Sequence, residues 1–415
     1  MDKKFLICAG NEYTYSQLID DINTKGNFNP YIYINDNNPY WIFLSIIHSL
    51  IYNYSIEILD GDFSDTELKE VGVDTKVFSN YENITNRVKI DDYNSLLDKI
   101  LMSKDWSLSL YTSGTTGRPK KVTHTLKTLT RNVKIGERFK CNVWAFAYNP
   151  THIAGLQVFF QALLNQNTIV YTFSGQQKNL SDLIQKYQIT NVSATSTFYR
   201  NVFPYLQGNI YKSVKRVTFG GEKYDPSLEN KIKMIFPNVL IRNIYASTEA
   251  GSLFVANGEN FEIPESIRDF VRINEANELL IHKSLLGNSD SFTLEGDWFN
   301  TGDIVYQLDS NHFNFISRKS DVVNVGGYKV NPLEVENTLI KVEGVIDLVV
   351  KSKKNKVTGE ILVVDVVKDE NYDEMELKKN LKRYATKHLQ EWKVPRIIKF
   401  IEEIPRTRTG KKVRK

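Results

Sequence analysis

Residues 143–171 read VWAFAYNPTHIAGLQVFFQALLNQNTIVY. A short apolar run, 143–147, ends at the turn signal Asn149-Pro150. Apolar residues then recur at helical spacing over 153–164, and a second β-branched run follows at 168–171. Two near-continuous apolar strands joined by a helix predict a parallel pair buried on both faces. The same alternation extends both ways. Strands are expected at 31–34, 55–59, 108–111, 191–194, 214–219 and 240–244, and helices at 40–52, 93–102, 126–139, 180–187 and 227–236. Strand–helix alternation of this kind implies parallel-rich sheets covered by helices.

The pattern changes at residue 254. From there to 316 it shows short strands and turns, among them 278–281 and 304–308, and predicts a small β-rich lobe. After 317–321 it changes again, with strands expected at 322–325, 345–351 and 360–367 and helices at 332–342 and 373–389. About 95 residues suffice for a separate core. The expected fold class is therefore α/β: a large N-terminal domain of parallel-rich sheets flanked by helices plus a small β-rich lobe (1–316), a hinge (317–321) and a small α+β C-terminal domain (322–415).

Composition bounds the function classes. The chain has 415 residues, 41% hydrophobic and 25% charged, which excludes a disordered or low-complexity chain. Its two cysteines, Cys8 and Cys141, exclude a disulfide framework and a thiolate metal cluster, and fit a reducing, cytoplasmic setting. No signal peptide and no membrane span are expected. The apolar run 5–10 is too short, and 41–52, interrupted by Ser45, His48 and Ser49, reads as a buried helix. The net charge of +4 is uneven: residues 391–415 hold nine Lys/Arg against three Glu, a local +6, so residues 1–390 sum to −2. A basic tail can bind nucleic acid or place cations over a small polyanion. A nucleic-acid tail would carry more charge and stacking aromatics, so no nucleic-acid partner is expected.

The sharpest local signal is Thr112-Ser113-Gly114-Thr115-Thr116-Gly117-Arg118-Pro119-Lys120, directly after an expected strand. Its glycines let several N–H groups converge, its hydroxyls add donors, and Arg118 and Lys120 add positive charge, so the loop suits phosphate oxygens. It lacks the Gly-Lys-Ser/Thr ending of a Walker loop.

This string resembles the phosphate loop of the adenylate-forming superfamily: acyl- and aryl-CoA synthetases, luciferases and the adenylation domains of peptide synthetases. Further motifs of that family follow in order over residues 112–414. Pro150-x-His152-x-x-Gly155 is similar to a segment whose histidine lies beside the acyl pocket and thiol channel, closest to aryl and o-succinylbenzoate-type CoA ligases. Phe219-Gly220-Gly221-Glu222 resembles the border of acyl chain and adenine. Tyr245-Ala246-Ser247-Thr248-Glu249 resembles Tyr-Gly-x-Thr-Glu, which implies adenine stacking by Tyr245, a phosphate or carboxylate contact by Thr248 and Mg²⁺ at Glu249. Ala246 replaces the usual glycine. Trp298-x-x-Thr301-Gly302-Asp303 implies a ribose contact at Asp303, two acceptors facing two hydroxyl donors. Ser317-Arg318-Lys319-Ser320-Asp321 and Gly326-Gly327 resemble the hinge and first loop of a mobile C-terminal domain, with Arg318 at ribose or phosphate. Ser317, Ser320 and Asn324 depart from common residues there. Pro405-x-x-x-x-Gly410-Lys411-x-x-Arg414 implies a catalytic Lys411.

The resemblance implies ATP, Mg²⁺ and coenzyme A, and a carboxylic acid activated as acyl-AMP and then passed to the CoA thiol. A carrier-protein phosphopantetheine is the alternative acceptor, and a non-catalytic nucleotide-binding protein is the third reading. The lining of His152, 196–199 and 220–222 leads to the expectation of a medium, partly aromatic or aliphatic acid without strong charge. Only 111 residues precede the phosphate loop, so a trimmed N-terminal subdomain is expected; an oligomer is compatible with all of this.

Overall fold

The structure, a computed structural model, describes residues 2–24, 33–61, 63–73, 88–113, 119–173, 177–325, 328–355, 359–406 and 412–414. The chain divides into two units, Met1–Phe270 with Ile281–Phe299, and Val271–Leu280 with Asn300–Lys415.

In the first unit the strands are β1 Lys4–Cys8, β2 Asn11–Thr14, β3 Tyr33–Asp36, β4 Ile56–Asp60, β5 Ser107–Ser113, β6 Pro119–Thr125, β7 Val143–Phe146, β8 Thr168–Tyr171, β9 Asn191–Ala194, β10 Arg216–Gly220, β11 Leu240–Ser247, β12 Gly251–Asn257 and β13 Asn260–Glu262. The helices are α1 Tyr15–Thr24, α2 Pro39–Ile51, α3 Asp65–Glu70, α4 Tyr93–Leu101, α5 Leu126–Thr130, α6 Ile153–Leu163, α7 Leu180–Tyr187, α8 Ser196–Leu206 and α9 Leu228–Ile235. The unit of β7, α6 and β8 forms as its sequence requires, with β7 and β8 parallel and Val143 opposite Thr168.

The larger sheet runs β13-β12-β11-β10-β9-β7-β8-β1-β2, and the smaller one β3-β4-β5-β6. From β11 through β1 every neighbouring pair is parallel. Alternation along the strands sends residues to two separate cores. Trp144, Phe146 and Ile169 join one cluster with Phe5, Phe43 and Phe159. Ala145 and Val170 join another with Tyr199, Val217 and Phe219. The first cluster also holds Ile56, Ile58, Leu108 and Leu110 of the smaller sheet, so α2 is enclosed between the sheets. That explains a helix apolar on nearly every face, started by Asn38, whose side chain accepts from the Tyr40 N–H, and by Pro39 in the first turn. Among the described residues no helix is long and apolar enough to cross a membrane.

One local expectation yields to tertiary contacts, and two elements form outside the expected pattern. The helix expected over 126–139 stops at Thr130, and a short 3-10 turn, Glu137–Phe139, follows later. Thr130 Oγ1 bonds back to the Leu126 carbonyl, and the side chains of Arg131 and Asn132 leave the helix for the carbonyls of Ala250 and Ser252. Helix α8 was not anticipated because Pro204 lies inside it; Thr195 caps it by accepting from the Phe198 N–H. Strand β6 escaped notice because its lysines interrupt the apolar run.

The second unit opens with strands Val271–Ile273, Glu278–His282, Trp298–Gln307 and His312–Arg318, two of which straddle the division. A second sheet follows, built of Val323–Val325, Tyr328–Val330, Val345–Asn355, Gly359–Lys368 and Ile397–Phe400. Helices Pro332–Leu339 and Glu374–His388 cover it through Val335, Leu339, Leu377, Leu381 and Ala385, packed on Leu348, Val350, Leu362 and Val364.

Candidate active site

Four parallel strands of the first unit end in register. Phe146 lies opposite Ser193, Ala194 opposite Phe219, and Gly220 opposite Ile244. The segments leaving these carboxyl ends carry His152, Thr195–Thr197, Gly220–Glu222 and Tyr245–Glu249, so one sheet edge collects most of the expected site. Open α/β sheets bind ligands at this edge. Contacts join the segments. The Glu222 carboxylate accepts the Thr197 N–H at 2.9 Å, and Ser196 Oγ donates to the Lys223 carbonyl at 2.8 Å. Gly221 has φ +80°, which a side chain would strain, and a Cβ on Gly220 would meet Tyr148 Oη at 3.2 Å.

His152 sits at the N-terminus of α6. Its Nε2 lies 3.3 Å from Oδ2 of Asp60, within ion-pair range but without hydrogen-bond alignment. Asp60, buried at the end of β4, accepts from Asn149 Nδ2 at 3.1 Å and from the Thr151 hydroxyl. Burial raises its pKa, but His152, Thr151 and Asn149 together outweigh that and hold the carboxyl below its ordinary value. Gly155 is required here: a Cβ would lie 2.2 Å from the Asn149 carbonyl oxygen. The glycine of the Pro150-x-His152-x-x-Gly155 segment thus lets α6 start tightly against 149–152. The sequence reading missed Asp60; its only signal was an acidic residue closing the apolar strand Ile56–Asp60.

The two ends of the phosphate-loop string lie on two antiparallel strands. Ser113 pairs with Pro119 and Thr112 with Lys120 across β5 and β6. Gly114, Thr115, Thr116, Gly117 and Arg118 lie outside the described residues, as do the side chains of Thr112 and Ser113. In β11, a bulge between Tyr245 and Ala246 takes up the register change where the usual glycine is replaced. The Tyr245 ring is buried against Phe254 at 5.3 Å and Phe261 at 6.0 Å. Ser247 Oγ accepts from the Ala250 N–H, closing the turn of Thr248, Glu249 and Ala250 between β11 and β12.

Among the described residues, the Lys120 ammonium, the Thr248 hydroxyl and the Glu249 carboxylate are half-buried and have no hydrogen-bond or ion-pair partner, though the Glu249 charge is felt by His124. A cation and a hydroxyl suit phosphate oxygens, and a carboxylate suits a divalent cation bound to them. No described cluster of three or more His, Cys, Asp or Glu forms a protein cage for a metal. Mg²⁺ does not need one: it keeps several waters and takes one or two carboxylates beside phosphate oxygens, which an unpartnered Glu249 fits.

In the second unit, Asp303 is buried and accepts from Arg318 Nε at 2.9 Å, bringing together two residues expected at ribose. Next to it in sequence, Lys319 pairs with buried Glu278 at 2.5 Å. Asn300 and Asn274 donate to the other oxygen of Glu278 at 2.8 and 3.1 Å. These three partners, Lys319 first, bring the Glu278 carboxyl down to about 2. Lys411 and Gly326-Gly327 fall outside the described residues. The residues flanking Lys411 are firmly held, however. Arg406 and Lys412 pair with each other in a β-bridge and both reach buried Asp347, at 3.0 and 2.5 Å. Arg414 reaches buried Glu336 at 3.0 Å. Much of the basic tail is thus neutralised internally.

The family profile described as "AMP-binding enzyme" matches residues 54–271, and "AMP-binding enzyme C-terminal domain" matches 334–411. The chain belongs to the AMP-binding enzyme family. A 2-succinylbenzoate–CoA ligase of Listeria monocytogenes serotype 4b (strain F2365) is 26% identical over 337 residues, covering 74% of this chain and 69% of that protein. The mitochondrial acyl-coenzyme A synthetase ACSM3 of Rattus norvegicus is 25% identical over 344 residues, 72% of this chain and 58% of its own length. Among solved structures, an o-succinylbenzoate CoA synthetase from Bacillus subtilis in complex with the acyl-adenylate intermediate OSB-AMP superposes with a TM-score of 0.73 at 18% identity, covering 100% of this chain and 94% of the other. ATP-bound MatB from Rhodopseudomonas palustris gives 0.74 at 15%, covering 99% and 94%. Both likenesses bear out the α/β fold of this AMP-binding enzyme.

Proposed function

We propose that the chain is an AMP-forming acid–thiol ligase. It joins a carboxylic acid to ATP as acyl-AMP with release of pyrophosphate, then transfers the acyl group to the CoA thiol. The observation that carries this is that Thr248 and Glu249, whose side chains have no hydrogen-bond or ion-pair partner among the described residues, follow the carboxyl end of a parallel strand in a member of the AMP-binding family. The CoA-ligase names of the relatives favour free CoA over a carrier protein as acceptor.

A carboxylate and ATP are both anions, so adenylation depends on neutralisation and placement. In this proposal a carboxylate oxygen attacks the α-phosphorus and the bond to pyrophosphate breaks. Lys120 and the backbone of 112–119 hold the β- and γ-phosphates, Thr248 binds α-phosphate or carboxylate, and Asp303 with Arg318 takes the ribose. Tyr245 and 220–222 border the adenine. Mg²⁺ at Glu249, when bound, draws charge from the leaving group. Lys411 is the cation shared by carboxylate and α-phosphate, delivered and withdrawn by rotation about 317–321. The thiol then attacks the acyl carbon beside His152, AMP leaves and the thiol proton is released. We place the reaction in the cytoplasm, in keeping with an exposed free thiol at Cys141.

Mass spectrometry of a panel of carboxylic acids with Mg²⁺·ATP tests this. Acyl-AMP is expected without CoA, and acyl-CoA plus AMP with it. Absence of acid-dependent pyrophosphate release across the panel overturns the assignment. Lys411→Ala should lower adenylate formation about 10²–10³-fold, the usual effect of removing one such group, with ATP affinity unchanged by calorimetry.

A further inference from the structure

The turn that carries Thr248 and Glu249 is held by its carbonyls. His124 Nε2 lies 2.7 Å from the Thr248 oxygen. The Gly287 N–H donates to the Glu249 oxygen at 2.7 Å, and Arg131 Nη1 to the Ala250 oxygen at 3.0 Å. Three successive acceptors are thus met by three separate segments, while the Thr248 and Glu249 side chains have no hydrogen-bond partner among the described residues. A carbonyl can only accept, so His124 carries its proton on Nε2. Burial lowers the pKa of this ring, against the opposing effects of the Thr248 carbonyl and the Glu249 charge.

Of the three, His124 alone is a side chain of β6, the strand that begins at the phosphate loop. Lys120, Val122 and His124 share one face of that strand by alternation, with Val122 and His124 buried. At roughly 3.3 Å per residue, β6 sets His124 about 13 Å from Lys120. The packing around the ring leaves it no slack. A Cβ on Gly287 would lie 2.8 Å from His124 Cε1 and 2.8 Å from the Thr123 oxygen. Thr123 also exchanges two backbone hydrogen bonds with Asn288, each 2.8 Å.

We propose that His124 is a positioning residue: by gripping the Thr248 carbonyl it fixes Thr248 and Glu249 at a set distance from Lys120, so the groups for the outer phosphates and for Mg²⁺ act on one ATP. The inference rests on the ligase reading for the roles of Thr248 and Glu249.

The test compares His124→Phe, which keeps a ring without the donor, with His124→Gln, whose amide reaches as far as Nε2. ATP affinity is measured by calorimetry with Mg²⁺ and with EDTA, and kcat and KM by ATP–pyrophosphate exchange. His124→Phe is expected to lose most of the Mg²⁺-dependent gain in ATP affinity and to lower kcat about 10–100-fold, the range for removing a partner that orients a metal-binding group. KM for the acid should stay within about 3-fold and His124→Gln should recover most of the loss. A folded His124→Phe with the full Mg²⁺ effect, or a His124→Gln as impaired as His124→Phe, overturns the proposal. Should His124→Phe not fold, His124→Asn, whose amide is too short to reach Thr248, is read the same way. Because Mg²⁺·ATP binding is measured without any acid, failure of every acid in the panel counts against the proposed reaction and leaves the His124 result readable.

Discussion

At the scale of single residues, the site separates groups that are consumed by the fold from groups that are left over. Asp60, Asp347 and Glu336 are buried carboxylates whose oxygens meet cations or donors within the chain. Among the described residues, Glu249 is a carboxylate that meets no cation or hydrogen-bond donor. The two kinds respond differently to substitution. Removing Glu249's charge leaves nothing inside the protein unpaired, so Glu249→Gln should change stability by no more than about 0.5 kcal/mol. Acyl-AMP formation should nevertheless fall about 10²-fold, because the proposed reaction uses Glu249 to hold the Mg²⁺ of the leaving pyrophosphate. Thermal unfolding and pyrophosphate release, measured on the same preparation, check both halves. The sequence made Glu249 legible through its neighbours Tyr245 and Thr248. Asp60 and His124 were not legible, since each matters through a contact with a residue about 90 or more positions away.

At the scale of elements, the link between β7 and α6 shows how a motif becomes geometry. Asn149, Thr151 and His152 all face Asp60, and the helix that follows closes over the Asn149 carbonyl only because residue 155 has no Cβ. Gly155→Ala places a methyl 2.2 Å from a backbone oxygen, which cannot rotate away. The cost expected is about 1–3 kcal/mol, read from a urea midpoint, with a displaced His152. The spacing of Pro150, His152 and Gly155 was readable in sequence, and so was the strand–helix–strand unit around it. The early end of α5 was not. Its apolar pattern continues past Thr130, and only the pull of Ala250 and Ser252 on Arg131 and Asn132 explains why the helix does not.

At the scale of the whole molecule, the proposed chemistry draws on residues of both units, and ion pairs inside the second predict a sensitivity to acid. Glu278 titrates near 2 instead of 4.5 because Lys319, Asn300 and Asn274 favour its charged form. A carboxyl lowered on folding adds stability above its unfolded pKa, and that stability is lost as pH falls from about 4.5 toward 2. Wild type should therefore be more stable than Glu278→Gln near neutral pH, and the gap in urea midpoint should narrow between about pH 5 and about pH 3. A gap independent of pH would mean that the Lys319 pair does not act through charge. By itself the sequence determined the α/β class, the strand–helix order and the family's motifs, because apolar periodicity, glycines and charged loops are local properties of a chain. Only the tertiary structure decided which acidic and basic groups cancel and which are left for a ligand, because that depends on partners brought together across long stretches of chain.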